Sequence, residues 1–137
     1  PDLNDDVFNG HCQGVGGYVL EVVVGDDRST MTVITPTGGH FDLRLDEAVS
    51  QAFSWFSEKA EWRVKASESA KPVALIFRFE TSQPDHPTKP GNRSYLVVVK
   101  ITDADICVTD AVEPGRNQNQ RARELADTAG QRPCIKN

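Results

Sequence analysis

Two stretches carry the strongest apolar patterning in the chain. In Pro72–Glu80, PVALIFRFE, the side chains of Val73, Leu75, Phe77 and Phe79 recur at period two and point to one face of a strand. The opposite face holds Ala74 and Ile76 before turning polar at Arg78 and Glu80. In Tyr95–Ile101, YLVVVKI, the run Leu96–Val99 is apolar on both faces and rich in β-branched residues. A strand covered on both sides reads this way, so these two runs are expected as the central strands. Burying the large side chains of the first run would contribute about 1.5–3 kcal/mol each.

The other segments read as elements that pair with these strands or cover them. Tyr18, Leu20, Val22 and Val24 alternate with a face holding Glu21, Gly25–Arg28 reads as a turn, and Ser29–Thr35 alternates again, which predicts a hairpin. A turn at Pro36–Gly39 precedes a short strand over His40–Leu45. Asp46–Phe56 supports two readings. Asp46 caps a short helix through Ala48, Val49, Ala52, Phe53 and Phe56, or an irregular segment lays Phe53, Trp55 and Phe56 over the core. Glu61–Ala66 reads as a strand with Trp62 and Val64 inward.

Thr81–Ser94 is rich in proline and holds no large apolar residue, so residues 81–94 are expected as an exposed loop. Asp103-Ala104 predicts a tight turn into a last strand, Asp105–Val112. Asn117 and Gln120 then have capping-box spacing, Ala122, Leu125, Ala126 and Ala129 form a narrow apolar stripe, and Gly130 and Pro133 stop the helix. Pro1–His11 is polar and expected to be loosely held. Residues 1–137 therefore read as a single α+β domain: an antiparallel sheet of about six to seven strands with one C-terminal helix packed on it.

Composition narrows the function classes. Hydrophobic residues at 38% and charged residues at 26% are ordinary globular values, and no apolar run approaches the roughly 18–20 residues of a membrane helix. A net charge of −5 without a basic cluster argues against nucleic acid or an anionic membrane as a partner. The sequence opens at Pro1 rather than Met, so a trimmed start is expected, as a removed export signal or any other upstream cut would leave.

Each chemical candidate has a plainer structural reading. Gly14-Val15-Gly16-Gly17 leads into a strand rather than a helix, which suits a turn and not a phosphate cradle. His11 and Cys12 are adjacent and would point to opposite faces of a strand, so Cys12 is expected to be paired or buried rather than catalytic. Cys12, Cys107 and Cys134 form no Cys-x-x-Cys pair, and His40 and His86 lack metal-ligand spacing. Asp103 and Asp105, like Asp26-Asp27, fit turn chemistry, and Asn92-Arg93-Ser94 is a sequon without a source to give it meaning. Arg121-Ala122-Arg123-Glu124 reads as a solvated helix face. Phe53, Trp55 and Phe56 are the most informative group: exposed, they are a partner-binding patch; covered, they are a hydrophobic flap closing one side of the sheet, which is the expectation.

Cys12-x-Gly14 leading to Gly17-Tyr18, Glu61-Trp62-Arg63, Pro72-Val73-Ala74 with Ile76 and Arg78, Leu96-Val97-Val98, Cys107-Val108, Ala122-Arg123 with Ala126-Asp127, and Cys134 run over most of the chain. In these the sequence resembles a family of small uncharacterised exported proteins of proteobacteria. The resemblance implies a periplasmic or secreted protein with its signal peptide removed, and brings no activity or catalytic residue with it. It also implies a Cys107–Cys134 disulfide, from the last strand to a point just beyond the helix expected to pack back on it. Similar proteins often carry a further cysteine upstream of the Cys12 position, which this chain lacks.

The expectation is a non-enzymatic binding or accessory module, with no cofactor, no metal site and no catalytic residue, acting on a protein partner. An inhibitor of a foreign envelope-degrading hydrolase is one concrete form, since such enzymes are often basic and an acidic protein is steered towards them. The alternative is a small enzyme or small-ligand carrier whose site gathers dispersed polar residues, with His40, Asp42, Arg44 and Arg63 the first to inspect. A deep pocket with converging polar groups would favour that alternative, and a protruding aromatic patch the binding module.

Overall fold

The computed structural model describes residues 3–4, 7–24, 29–65, 68–83, 87–88 and 91–135. Its strands run up and down in two antiparallel meanders. The first sheet contains, in spatial order, β1 (Leu3–Asn4), β2 (Val7–Gln13), β3 (Val19–Val24), β4 (Ser29–Ile34) and β5 (His40–Asp42). The second contains β6 (Phe53–Lys65), β7 (Glu68–Ser82), β8 (Asn92–Ile101) and β9 (Ile106–Val112). A single helical turn, α1 (Leu45–Ala48), joins the sheets, and α2 (Gln118–Asp127) follows the last strand.

The α+β antiparallel class agrees with the sequence reading, but one sheet of six or seven strands becomes two sheets. The division falls just after β5. Arg44 sits in the left-handed region at φ 52°, its amide donating 2.8 Å to Asp42 Oδ1, which turns the chain out of the first sheet. Leu43 and Leu45 are driven inward at that turn and are nearly fully buried. Asp46 therefore caps no long helix, and Phe53–Phe56 is neither helical nor irregular but the start of β6.

β7 and β8 are the inner strands of the second sheet, as their patterning predicts. Leu75, Phe77, Phe79, Val97 and Val99 face the first sheet and pack with Leu20, Met31 and Val33. The opposite face, Ala74, Ile76, Leu96 and Val98, is covered by Ala122 and Ala126 of α2 and by Ala129 beyond it. The layers are thus sheet, sheet, helix, and alanines let the helix backbone approach the strands closely.

Local corrections have local causes. Irregular register around Val64, which pairs with Pro72, leaves that side chain 38% exposed rather than inward, and leaves Val73, skipped by the register, only half-buried. The loop expected over residues 81–94 is shortened, because β7 runs to Ser82 and β8 begins at Asn92. Gln83 and Gly91 then exchange backbone hydrogen bonds of 3.0 and 3.2 Å. Residues 84–86, 89 and 90 within it, and residues 25–28, where a turn is expected from the sequence, lie outside the described residues. The N-terminal stretch is not loose throughout, since β2 pairs with β3 from Phe8 opposite Val24 to Gln13 opposite Val19. Asn117 makes no side-chain cap; it adopts φ 63°. Gln118 secures the helix start instead, donating to Ser94 O (2.8 Å) and Val112 O (3.0 Å).

The disulfide joins Cys107 of β9 to Cys134, with Cα atoms 5.7 Å apart. It belongs to a strap that folds back on the second sheet. Lys100 Nζ donates to Arg132 O at 2.8 Å, Arg132 holds Asp110 in a bidentate pair, and Ile135 N donates to Val108 O at 2.9 Å on the outer edge of β9. Cys12 is free and exposed, against the expectation that it would be paired or buried.

Candidate functional site

The second sheet extends past the N-terminus of α2, and among the described residues no element covers its outer face there. β6 is the edge strand of that sheet. Alternation along it sends Ser54 and Phe56 inward and Phe53 and Trp55 outward. Phe56 packs edge-on against Phe77 and tilted against Phe79, at ring-centroid distances of 5.7 and 5.4 Å. Ser54 is buried against β4, where Ser29 N donates to Ser54 Oγ and Ser29 Oγ to Ser54 O, both at 2.9 Å. These anchors hold the backbone that presents Phe53 and Trp55, which stand 60% and 41% exposed. The three aromatics expected as one group are therefore divided: Phe56 is core, and Phe53 and Trp55 form the surface. The flap expected to close one side of the sheet is not formed.

Polar groups flank this pair. Phe53 lies opposite Ser82 and Trp55 opposite Glu80, whose own neighbour on β8 is Ser94. Ser57 Oγ donates to Glu80 Oε2 at 3.2 Å. Arg78 is engaged elsewhere, donating to Ser94 Oγ at 2.8 Å and Gln118 Oε1 at 3.0 Å. Arg78, Ser94 and Gln118 thus mark the border between the helix-covered and the open parts of the sheet.

A cleft of about 640 Å³ opens at the other end of the second sheet, with Tyr18, Arg63, Lys65, Lys71, Asp103 and Asp127 among its lining. Its charges are largely committed to one another. Arg63 donates 2.8 Å to Glu61 Oε2 and 3.2 Å to Asp127 Oδ1, and Lys71 lies 3.7 Å from Asp103. Arg123, expected on a solvated face, reaches β6 and grips Glu61 at 3.0 and 2.8 Å. The Arg123 hydrogen bonds hold the Glu61 carboxyl below its ordinary range, partial burial opposes that, and Arg63 reinforces it. This network fastens α2 to the edge strand; four charges spent on one another leave little for a ligand.

The dispersed residues suspected of forming a site do not converge. His40 and Asp42 are exposed on β5, Arg44 pairs with Glu47 at 3.4 Å, and Arg63 belongs to the cleft network. The turn that carries Asp103 and Asp105 is held by Thr102, whose N donates 2.9 Å to Asp105 O and whose Oγ1 accepts from Asp105 N at 2.9 Å. Among the described residues, no three His, Cys, Asp or Glu side chains gather into a metal-binding set. No helix among them is long and apolar enough to cross a membrane.

Sequence reasoning missed Gln118, which it did not single out, and Gly14, read only as a turn. The ring of Trp62 lies against Gly14 so closely that a Cβ there would fall 2.3 Å from one ring carbon. Trp62 also packs on Tyr18, at 6.2 Å between ring centroids. No family model matches the chain, and no curated protein or solved structure is significantly similar to it.

Proposed function

We propose that the protein is an exported, non-enzymatic binding module that docks a basic protein partner through Phe53 and Trp55. The observation that carries this reading is the exposure of two large aromatics side by side on an edge strand whose backbone is pinned from within. Rigid aromatics supply contact area at low entropic cost, and large aromatics are enriched among interface hot spots. A net charge of −5 steers a cationic partner towards the protein. A disulfide-stapled strap suits an oxidising compartment such as the periplasm or the extracellular space. A foreign lysozyme-like hydrolase, basic and directed at the envelope, fits these requirements, and the module would act as its inhibitor. The small-ligand alternative attaches to the cleft and has less support, because Arg63 and Lys71 already have carboxylate partners.

The test is titration of basic peptidoglycan hydrolases with the wild-type protein and with Phe53→Ala/Trp55→Ala. Two lost anchors at about 2 kcal/mol each weaken inhibition by roughly two to three orders of magnitude. The fold should persist, since surface substitutions usually change stability by no more than about 0.5 kcal/mol. Equal inhibition by the double variant, or a wild-type protein that inhibits no such enzyme, would refute the proposal.

A further inference from the structure

We infer that Trp55 and Glu80 together form a recognition site for one cationic side chain of the partner, best filled by arginine; this rests on the docking role proposed for Phe53 and Trp55. The two residues are directly opposite in the β6–β7 register, so they share the open face of the sheet. Opposite residues of an antiparallel pair have Cβ atoms about 4.5–5.5 Å apart, which sets a carboxylate beside the edge of an accessible indole face. A cation is drawn to such a face by the ring quadrupole, and a planar guanidinium stacks on it while donating to a neighbouring carboxylate.

Among the described residues the site has no internal occupant. The cation nearest along β7, Arg78, is engaged by Ser94 and Gln118. Arg93, on the adjacent strand, is held by Glu113 at 2.7 Å. Among the described residues, no lysine or arginine pairs with Glu80, which accepts from the Ser57 hydroxyl alone. One hydrogen bond leaves most of a carboxylate's acceptor positions free for a bidentate guanidinium. Phe53, one pair further along, lies opposite Ser82 and has no carboxylate beside it. The surface therefore reads as two adjoining halves: an apolar contact at Phe53 and a cation seat at Trp55. A partner segment with an arginine next to an apolar side chain would match both.

The test uses N-acetyl-arginine amide as the probe and N-acetyl-norleucine amide as its neutral counterpart, followed by NMR. The Trp55 indole N–H resonance is assigned from Trp55→Phe, and Trp62, packed on Gly14 and Tyr18, serves as the internal reference. The arginine probe should shift the Trp55 resonance saturably and leave Trp62 still, and the neutral probe should shift neither. Glu80→Gln should weaken binding about tenfold, the scale of one charge-assisted hydrogen bond. Glu80→Lys, which supplies its own ammonium, should abolish it. Equal shifts from both probes, or binding unchanged in Glu80→Gln, would overturn the cation site. If hydrolase inhibition depends on Phe53 and Trp55 while both Glu80 variants inhibit fully, docking stands and the cation site fails. If the arginine probe behaves as expected but Phe53→Ala/Trp55→Ala inhibits like wild type, the seat stands and the docking role fails.

Discussion

Removing the disulfide should cost more than its position near the chain end suggests. Cys107 and Cys134 lie 27 positions apart in sequence, so the bridge closes a loop holding nearly all of β9 and all of α2. In the chain-entropy account, a loop of about 28 residues restricts the unfolded state by about 3.6 kcal/mol. For a domain of this size 1 kcal/mol corresponds to roughly 3–5 °C, so Cys107→Ser/Cys134→Ser should lower Tm by about 10–18 °C. Polar contacts of the strap survive the substitution, because Arg132 still holds Asp110 and Lys100 still reaches Arg132 O. They keep the strap docked in the folded state, which isolates the effect on the unfolded chain. Calorimetry of the double serine variant beside the oxidised wild type measures it. Labelling with a maleimide before reduction should first modify Cys12 alone, confirming which thiol is free. An unchanged Tm would refute the reasoning. Faster amide exchange at Ile135 with no change in Tm would mean that the bridge orders only the tail.

Gly14→Ala should destabilise by about 1–3 kcal/mol, because the new methyl would sit 2.3–2.8 Å from three Trp62 ring carbons and displace a ring packed on Tyr18; urea denaturation reads this, and wild-type stability would refute it. Glu61 has a folded-state pKa below its ordinary value, so its contribution is complete above the usual carboxylate range and is lost as pH falls through the folded value. Wild type should accordingly lose more stability than Glu61→Gln between about pH 6 and pH 3, and parallel stability curves would count against the clasp. Because its members are partly exposed, the difference should be modest and should shrink in high salt.

How much was legible in the sequence depended on whether the signal was periodic. The β3–β4 hairpin, the two inner strands and α2 all lie where alternation or helical spacing places them. Elements fixed by pairing alone were not legible. β2 reads VFNGHCQ, with little apolar content, and is a strand because β3 offers it an edge. The division into two sheets turns on one left-handed residue, Arg44, at a position where no glycine or asparagine advertises it. Aromatic content singled out Phe53, Trp55 and Phe56 as one group, which the strand then divides between core and surface. Only the strand assignment could separate the inward ring from the outward pair, since a one-residue change of register exchanges their faces. The Glu61–Arg123 clasp joins residues far apart in the chain, and no local pattern carries such a contact.

The edge strand itself gives the strongest reason to treat Phe53 and Trp55 as functional. A long unpaired edge is a hazard, commonly blunted by charge, bulges or coverage. From Lys59 to Lys65, β6 has these defences: Lys59, Glu61, Arg63 and Lys65 alternate along it, its register with β7 breaks three times between Phe56 and Lys65, and Arg123 of α2 grips it. From Phe53 to Phe56 its register with β7 is regular, no charged side chain intervenes, and two aromatics face water. The inner anchors at Ser54 and Phe56 would hold the strand equally well with polar residues at 53 and 55. Phe53 keeps 60% of its surface and Trp55 41% in water, an exposure that the anchors do not require. A surface that is defended along one half of a strand and left apolar along the other is what a docking edge requires. Phe53→Ser/Trp55→Ser should accordingly leave Tm within a few degrees and reduce the protein's tendency to self-associate at high concentration. A large loss of stability would show instead that the pair belongs to the fold.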